Sequence, residues 1–443
     1  MKLILLSGGS GKRLWPLSND SRSKQFLQVL KSPDGAAESM VQRVWRQIQT
    51  AGLAESVYIS TSREHAEAIR HQLGEGIPLI LEPERRDTFP AIALSAVYLF
   101  DKEGVKADET ACVMPVDCFV EPLFFEKVRE LESLLEKKGA RLGVIGAAPT
   151  YPSQKYGYLL PAEEAASVDS SEGISIRRFA EKPDEETAVR LIRQNALWNC
   201  GVFAFRLSTV LDELRRNGWP DRYDELCESY GTLPKTSFDY QVAEKAESIV
   251  ALAYEGKWKD LGTWNTLTEE MDSFALGEGI VAEDAADTHV VNELPVPVAV
   301  LGTRGLVVAC SPDGILVADK GASHRLKDLA ERFPGAPMYE EHRWGWRRVL
   351  EHAVYPSGGE SLIQKLAVRA GHRLDRPSGR PSRRLWKVLS GEGAFTLGER
   401  TGPLRPGDFL VIPERTGHGL SAAVDMEVVE IMTGIHLRSE AGT

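Results

Sequence analysis

The sequence predicts an α/β protein built on a mainly parallel sheet, followed by segments that are all β. Three observations carry this expectation. From residue 1 to about 271, apolar runs of strand length alternate with stretches of helical apolar spacing, the pattern of a sheet covered by helices on both faces. From about 274 to 337 the strands become short and are separated by turn signals such as Ser311-Pro312-Asp313-Gly314. From Tyr339 onward, short apolar strands, frequent glycines and the turns Pro406-Gly407-Asp408 and Ile412-Pro413 read as a β-barrel. A chain of 443 residues is too long for one core. The expected domains are 1–273, 274–337 and 338–443.

The elements follow in order. Residues 3–6 form a first strand. A helix at 39–49 carries Val41, Val44, Trp45 and Ile48 on one face and stops at Gly52. Strands are expected at 57–60, 79–81, 112–114, 142–145 and 174–179, with an acidic loop at 163–172. Helices are expected at 63–73, at 90–100, opened by Pro90, and at 124–138. In the small β module, strands are expected at 290–291, 298–301, 306–309 and 315–318.

Composition excludes several classes. The net charge of -11 argues against a nucleic-acid or anionic-membrane partner, so any phosphate ligand must be met by a local cluster of cations. The five cysteines are odd in number and form no C-x-x-C pair, which fits a reducing compartment and argues against a disulfide framework or zinc ribbon. Only a strand-length apolar run follows Met1-Lys2, so neither a signal peptide nor a membrane span is read, and a cytoplasmic location is expected. Self-association is left open.

The chemistry begins where the first strand ends, at Ser7-Gly8-Gly9-Ser10-Gly11. Glycines crowded after a strand let backbone N–H groups approach an anion, and Lys12 and Arg13 add fixed charge there. The P-loop pattern fails because its first glycine would fall at Leu6 and Arg13 follows the lysine. The dinucleotide fingerprint fails because Leu14 stands where its third glycine belongs. Ligands of such sheets gather beyond the carboxyl ends of the strands. Those ends carry Glu82-Pro83-Glu84-Arg85-Arg86-Asp87-Thr88 and Pro115-Val116-Asp117-Cys118. A lone aspartate at a strand end is usually a cap or a solvated loop residue. Asp117 gains weight from Asp260, since two hard oxygen ligands together with phosphate oxygens and water suit Mg²⁺.

The stretch 3–18 with Lys24-Gln25-Phe26 resembles the signature of sugar-phosphate nucleotidyltransferases, specifically the mannose-1-phosphate guanylyltransferases. Ala180-Glu181-Lys182-Pro183, Trp198-Asn199-Cys200-Gly201 and Phe238-Asp239-Tyr240 with Glu244-Lys245 resemble further motifs of that family. The resemblance implies a Rossmann-like nucleotidyltransferase domain and a small β module, sometimes a left-handed β-helix fragment. It implies GMP transfer from GTP to mannose 1-phosphate, with Mg²⁺ (or Mn²⁺) on Asp117 and Asp260. Leu6, Gly8, Gly9, Gly11, Lys12 and Arg13 would meet the nucleotide, with Lys24, Glu82, Arg86, Thr88, Pro115 and Asp117. Gly157, Glu181, Lys182, Asn199 and Asp260 would meet the sugar phosphate, with Asp239 and Glu244 as scaffold. Arg13, Lys24, Lys182 and Asp117 are the expected catalytic residues. Four positions depart from the family: Lys12 replaces threonine, Ser23 proline, Asp87 asparagine and Cys118 histidine. Another hexose 1-phosphate or nucleotide, or a bifunctional guanylyltransferase and isomerase, are the alternative activities. A binding module that had lost its metal or phosphate lysine is disfavoured, because both aspartates and all three cations are present.

The segment from Trp386 through Gly391, then Gly407-Asp408, Ile412-Pro413 and Gly417-His418, resembles the cupin fused to such enzymes, a metal-dependent mannose-6-phosphate isomerase. Here Gly379 and Pro381 fall where that family has histidines, and Arg384 falls where it has glutamate. His418 alone remains, among Arg376, Arg380, Arg383 and Arg384. A catalytic metal wants three or more protein ligands, and the arginines would repel it. The expectation is a barrel without isomerase activity.

Overall fold

The computed structural model describes residues 1–9, 11–162, 173–333, 336–377, 382–435 and 437. Ser10, the acidic loop at 163–172, Gly379, Arg380 and Pro381 lie outside the described residues. The first strand, Lys2–Leu6, buries Leu3, Ile4 and Leu5 completely, as a strand with neighbours and helices on both sides must. It belongs to a nine-stranded sheet. The strand order is Leu79–Glu82, Val57–Ser62, Lys2–Leu6, Thr110–Pro115, Leu197–Arg206, Leu142–Ala147, Ile249–Tyr254, Ile174–Ala180, Tyr158–Pro161.

The first four strands of that order are parallel, and Ile249–Tyr254 is parallel to Leu142–Ala147. The sheet is more mixed than the β-α repetition implies. Leu197–Arg206 runs antiparallel to Thr110–Pro115, Leu142–Ala147 and Tyr158–Pro161, and Ile174–Ala180 is antiparallel to both of its neighbours. Alternating elements in sequence do not fix direction once a strand inserts between two others without a crossover helix.

The helices follow their local signals. Met40–Thr50 opens with a reciprocal cap: Ser39 Oγ accepts from Gln42 N (3.3 Å) and Gln42 Oε1 accepts from Ser39 N (3.0 Å). Thr88–Asp101 is buried almost all round, from Phe89 to Leu99, and packs into the core of the sheet. Leu123–Lys138 ends on Gly139 in the left-handed conformation.

Compactness divides the chain differently from its composition. One unit comprises Met1–Gly9, Gln25–Ala66 and Leu73–Gly262. The other comprises Ser10–Lys24, Glu67–Gln72 and Thr263–Thr443. In the second unit, Ala275–Leu276, His289–Asn292 and Leu306–Ser311 pair in parallel, as do Gly279–Val281 and Val298–Val300. Successive short strands stacking in parallel make a small coil, closed by the antiparallel strand Gly314–Asp319.

Two antiparallel sheets of six and four strands then form the C-terminal barrel. Its core contains Leu366, Trp386, Val388, Leu420 and Val428. Among the described residues no helix is long and apolar enough to cross a membrane.

Candidate functional site

The site grows from the end of the first strand. Ser7 O accepts from Gln25 Nε2 and from Thr61 Oγ1, both at 3.1 Å, which pins the chain where it leaves the sheet. Gly9 has φ 131°, a conformation open only to glycine at low cost. Gly8 is exposed, and a Cβ there would come within 3.1 Å of Glu82 Oε1. The Glu82 carboxylate thus lies directly beneath the glycine backbone. It is buried, accepts a hydrogen bond from Tyr230 Oη (3.1 Å), and burial raises its pKa to about 7 against the weaker opposing pull of Tyr230 and Arg85. Leu6 pairs with Pro115, and Val116 N donates to Leu6 O (3.2 Å), so both strand ends share one edge.

The segment after Glu82 is tied to the 233–238 stretch. Arg86 Nε donates to Leu233 O (2.9 Å) and Nη1 to Glu84 (3.1 Å), while Thr88 Oγ1 accepts from Phe238 N (2.9 Å). These two residues, expected at the nucleotide, tie the opening of the helix Thr88–Asp101 to the 233–238 stretch. Asp87 adopts φ 72° and caps that helix through Thr88 N (2.7 Å). Asparagine and aspartate side chains can both accept in that cap, so the replacement keeps the cap. It adds a carboxylate, which adds to the effect of burial, the main cause, in raising the pKa of Glu181 and Asp239 nearby.

The chain segments that carry Asp117 and Asp260, far apart in sequence, are paired. Cys118–Val120 and Trp258–Asp260 form a two-stranded antiparallel ribbon in which Asp260 pairs with Cys118, and Leu261 N donates to Asp117 O (3.3 Å). Gln47 Nε2 (2.9 Å) and Arg43 Nη1 (2.8 Å) both donate to Val120 O, and Arg43 covers the Phe119 ring at 3.9 Å. A Cβ at Gly262 would come within 2.9 Å of Asp260 Oδ1, so glycine there leaves the carboxylate its space. Cys118, in the histidine's place, is buried; burial, with Asp117 beside it, pushes its thiol up to about 12, and it donates to Pro115 O (3.4 Å). A buried neutral thiol is a packing group here.

Of the sugar-phosphate candidates, Gly157, Glu181, Lys182 and Asn199 converge. Lys182 Nζ is 2.7 Å from Glu181 Oε1, on a backbone with φ 44°. Burial works against the lysine's charge, but Glu181 leaves its pKa raised. Glu244 Oε1 accepts from Glu181 N (2.9 Å), and Asp239 Oδ1 accepts from Asn199 Nδ2 (3.1 Å). Burial, then Glu181, raises Asp239 to about 7. A Cβ at Gly157 would fall 2.6 Å from Glu181 Oε2, so only glycine fits against that carboxylate. Asn199 Oδ1 accepts from Gly201 N (3.1 Å), so this buried amide has both ends engaged.

Gly11, Lys12, Arg13 and Lys24 belong to the loop Ser10–Lys24 of the other unit, where Lys12 Nζ lies 3.4 Å from Asp20 and Arg13 is exposed.

In the barrel, Arg384 is buried and its Nη1 lies 3.3 Å from Glu430 Oε1. Arg376 Nη2 is 3.6 Å from Glu430 Oε2, Trp386 Nε1 donates to Oε1 (2.9 Å), and Gln364 Nε2 donates to Oε2. Glu430 is fully buried. Burial alone would raise its pKa, but the two arginines and these donors hold it down at about 2. His418 stacks edge-on to Trp386, its Nδ1 is 2.9 Å from Thr416 O, and burial lowers its pKa.

Sequence reasoning missed Glu430. Its signal is the alternation of Met426, Val428, Glu430 and Met432 on the buried face of one strand. Tyr230, the partner of Glu82, left no comparable pattern.

Residues 2–275 match the nucleotidyl transferase family, and the chain belongs to it. Its relatives narrow the class. It is 28% identical, over 98% of its length and 94% of theirs, to the mannose-1-phosphate guanylyltransferase RfbM of Salmonella typhimurium. It is 27% identical, over 98% of its length and 96% of theirs, to the xanthan biosynthesis protein XanB of Xanthomonas campestris. A Thermus thermophilus structure described as a mannose-1-phosphate geranyltransferase superposes with TM-score 0.60 at 29% identity, covering 75% of this chain and 98% of that one.

Proposed function

We propose that the protein transfers GMP from GTP to mannose 1-phosphate, giving GDP-mannose and pyrophosphate. The observation that supports this reading is the Cys118–Val120/Trp258–Asp260 ribbon, in which Asp260 pairs with Cys118, the neighbour of Asp117, and Leu261 N donates to Asp117 O. Among the described residues no group of three or more His, Cys, Asp or Glu could hold a metal unaided. A pair of hard carboxylates completed by phosphate oxygens and water is what Mg²⁺ accepts, so the pair fits an ion arriving with the nucleotide. Held by Asp117 and Asp260, that ion supplies charge neutralisation at the reacting phosphates.

The reaction is attack of the sugar-phosphate oxygen on the α-phosphorus with departure of pyrophosphate; the chain's part is positioning and electrostatics. The Gly8-Gly9 backbone lets phosphates approach. Lys182 receives the incoming sugar phosphate; on arrival the anion competes with Glu181 for the ammonium. By their motif positions, Arg13 and Lys24 take the triphosphate and the departing pyrophosphate. Glu82, ionised, is a pure acceptor beneath Gly8. It suits a base edge with adjacent N–H donors, as guanine has at N1 and N2. Glu181, with Glu244 and Asp239 behind it, accepts from sugar hydroxyls.

The barrel is proposed to have no isomerase activity, since a guanidinium clamped on Glu430 stands where the family's metal-binding glutamate belongs. The protein is proposed to work in the cytoplasm. The direct experiment is a matrix of four nucleoside triphosphates against several hexose 1-phosphates, read by pyrophosphate release. GTP with mannose 1-phosphate should lead by a wide margin. A higher kcat/KM for another pair would replace this substrate assignment.

A further inference from the structure

The chain leaves the first unit after Gly9 and re-enters it at Gln25, and the loop Ser10–Lys24 between them belongs to the C-terminal unit. Its contacts there are buried and directional. Asn19 Oδ1 accepts from Ser21 N (2.9 Å), Ser21 Oγ (2.8 Å) and Arg22 N (2.8 Å), which closes the loop's turn. Asn19 Nδ2 donates to Asp313 Oδ2 (2.7 Å) and Tyr339 O (3.1 Å). The other oxygen of Asp313 accepts from Met338 N.

Arg22 extends the same seam: Nη1 is 2.9 Å from each Glu293 oxygen, Nε is 3.1 Å from Glu341, and the guanidinium lies 5.1 Å from the Tyr339 ring centre. Trp15 stacks on Phe333 at 5.2 Å, and a Cβ at Gly314 would press within 2.6 Å of its indole. Ser311 Oγ donates to Pro16 O at 2.6 Å. Both the small coil and the first barrel strand, Tyr339–His342, take part.

Long cationic side chains on an unanchored loop would sample many arrangements, and ordering them on substrate would cost entropy. Here the ordering is done in advance, by residues remote in sequence. We infer that Asp313 is a positioning residue for guanylyl transfer: through Asn19 it fixes the loop that carries Lys12, Arg13 and Lys24. The inference rests on the reading of the loop as the nucleotide's phosphate cradle.

The test uses the full chain and measures kcat and KM separately for each substrate. Displacement of a reacting group by about 1 Å can cost about 10²-fold. Asp313→Ala should therefore lower kcat/KM for GTP by roughly ten- to a hundredfold while the KM for mannose 1-phosphate stays unchanged. Asp313→Asn, which keeps one of the two acceptors, should fall between. Asn19→Ala should reproduce the defect, and the double variant should be no worse than the worse single one, because the two act as one contact. Should Asp313→Ala not fold, Asn19→Ala decides alone. Arg13→Ala separates the two ideas. If it is crippled while Asp313→Ala and Asn19→Ala behave as wild type, the positioning role is overturned. If Arg13→Ala itself uses GTP normally, the cradle reading falls first. An equal loss toward both substrates, tracking a lower melting temperature, would also overturn the inference in favour of a purely structural contact.

Discussion

Glu82 and Glu430 are both buried glutamates, and they have opposite fates. Glu82, at the end of a sheet strand, has a phenol for its near partner, and burial lifts its pKa to about 7. Glu430, inside the barrel, is gripped by Arg376, Arg384, Trp386 and Gln364 and sits at about 2. Desolvation penalises the charged form in both; what differs is whether the protein supplies compensating charge. Where it does, the carboxylate is a finished internal contact. Where it supplies less, the carboxylate keeps a raised pKa, and the proposed role of Glu82 in base recognition draws on that difference.

The strongest way to break this contrast is to delete Glu430. Removing one partner of a buried ion pair costs about 3–5 kcal/mol because the remaining charges stay desolvated. Glu430→Ala should lower the barrel's melting transition by that order in a denaturant or calorimetric scan. A transition unchanged from wild type would mean the network is solvated and the contrast is false.

Glu82→Gln should do the reverse, leaving stability nearly untouched at pH 8 or raising it slightly, while weakening GTP use. Losing a hydrogen bond to a charged group costs about 1.5–3 kcal/mol, roughly ten- to a hundredfold in kcat/KM for GTP. Nucleotide kinetics equal to wild type would remove Glu82 from base recognition.

Acid titration sharpens the pair. Glu430 has its folded pKa below the unfolded value of 4.5, so the stability it contributes is present above 4.5 and is lost as pH falls toward 2. Glu82 has its folded pKa above 4.5, so its ionisation withdraws stability as pH rises from 4.5 to about 7. Over that same rise the wild-type KM for GTP should fall, and Glu82→Gln should flatten the profile. A profile of the variant that still bends near pH 7 would place the titrating group elsewhere.

The smallest effect expected is none at all. Protein incubated with mannose 6-phosphate and zinc or cobalt should yield no fructose 6-phosphate. Turnover that disappears in His418→Ala would restore a metal site to the barrel.

The sequence made part of this legible. Gly8 and Gly9 stand in a glycine run at a strand end that the residues themselves single out, whereas Asp117, Lys182 and Asp260 are picked out chiefly by short motifs that resemble the family's. Arg86 and Thr88 are picked out by the same kind of motif, but their hydrogen bonds to Leu233 O and Phe238 N reach about 150 residues on. No local pattern reports a contact of that range. Glu430 was hidden for a related reason: its arginines come from other strands, Arg384 being 46 residues away. The mixed direction of the sheet escaped because alternation counts elements and says nothing about which way a strand enters. The attachment of the loop Ser10–Lys24 to the C-terminal unit is likewise a tertiary fact.

The central claim is that Asp117 and Asp260 jointly hold a divalent cation for guanylyl transfer. It is tested most directly by pyrophosphate release from GTP and mannose 1-phosphate, titrated with Mg²⁺, for wild type, Asp117→Ala and Asp260→Ala. The account predicts turnover that requires the cation and saturates with it. It also predicts losses of about 10²–10³-fold or more in each variant, with circular dichroism unchanged. Either variant turning over like wild type at the same Mg²⁺ concentration would contradict it.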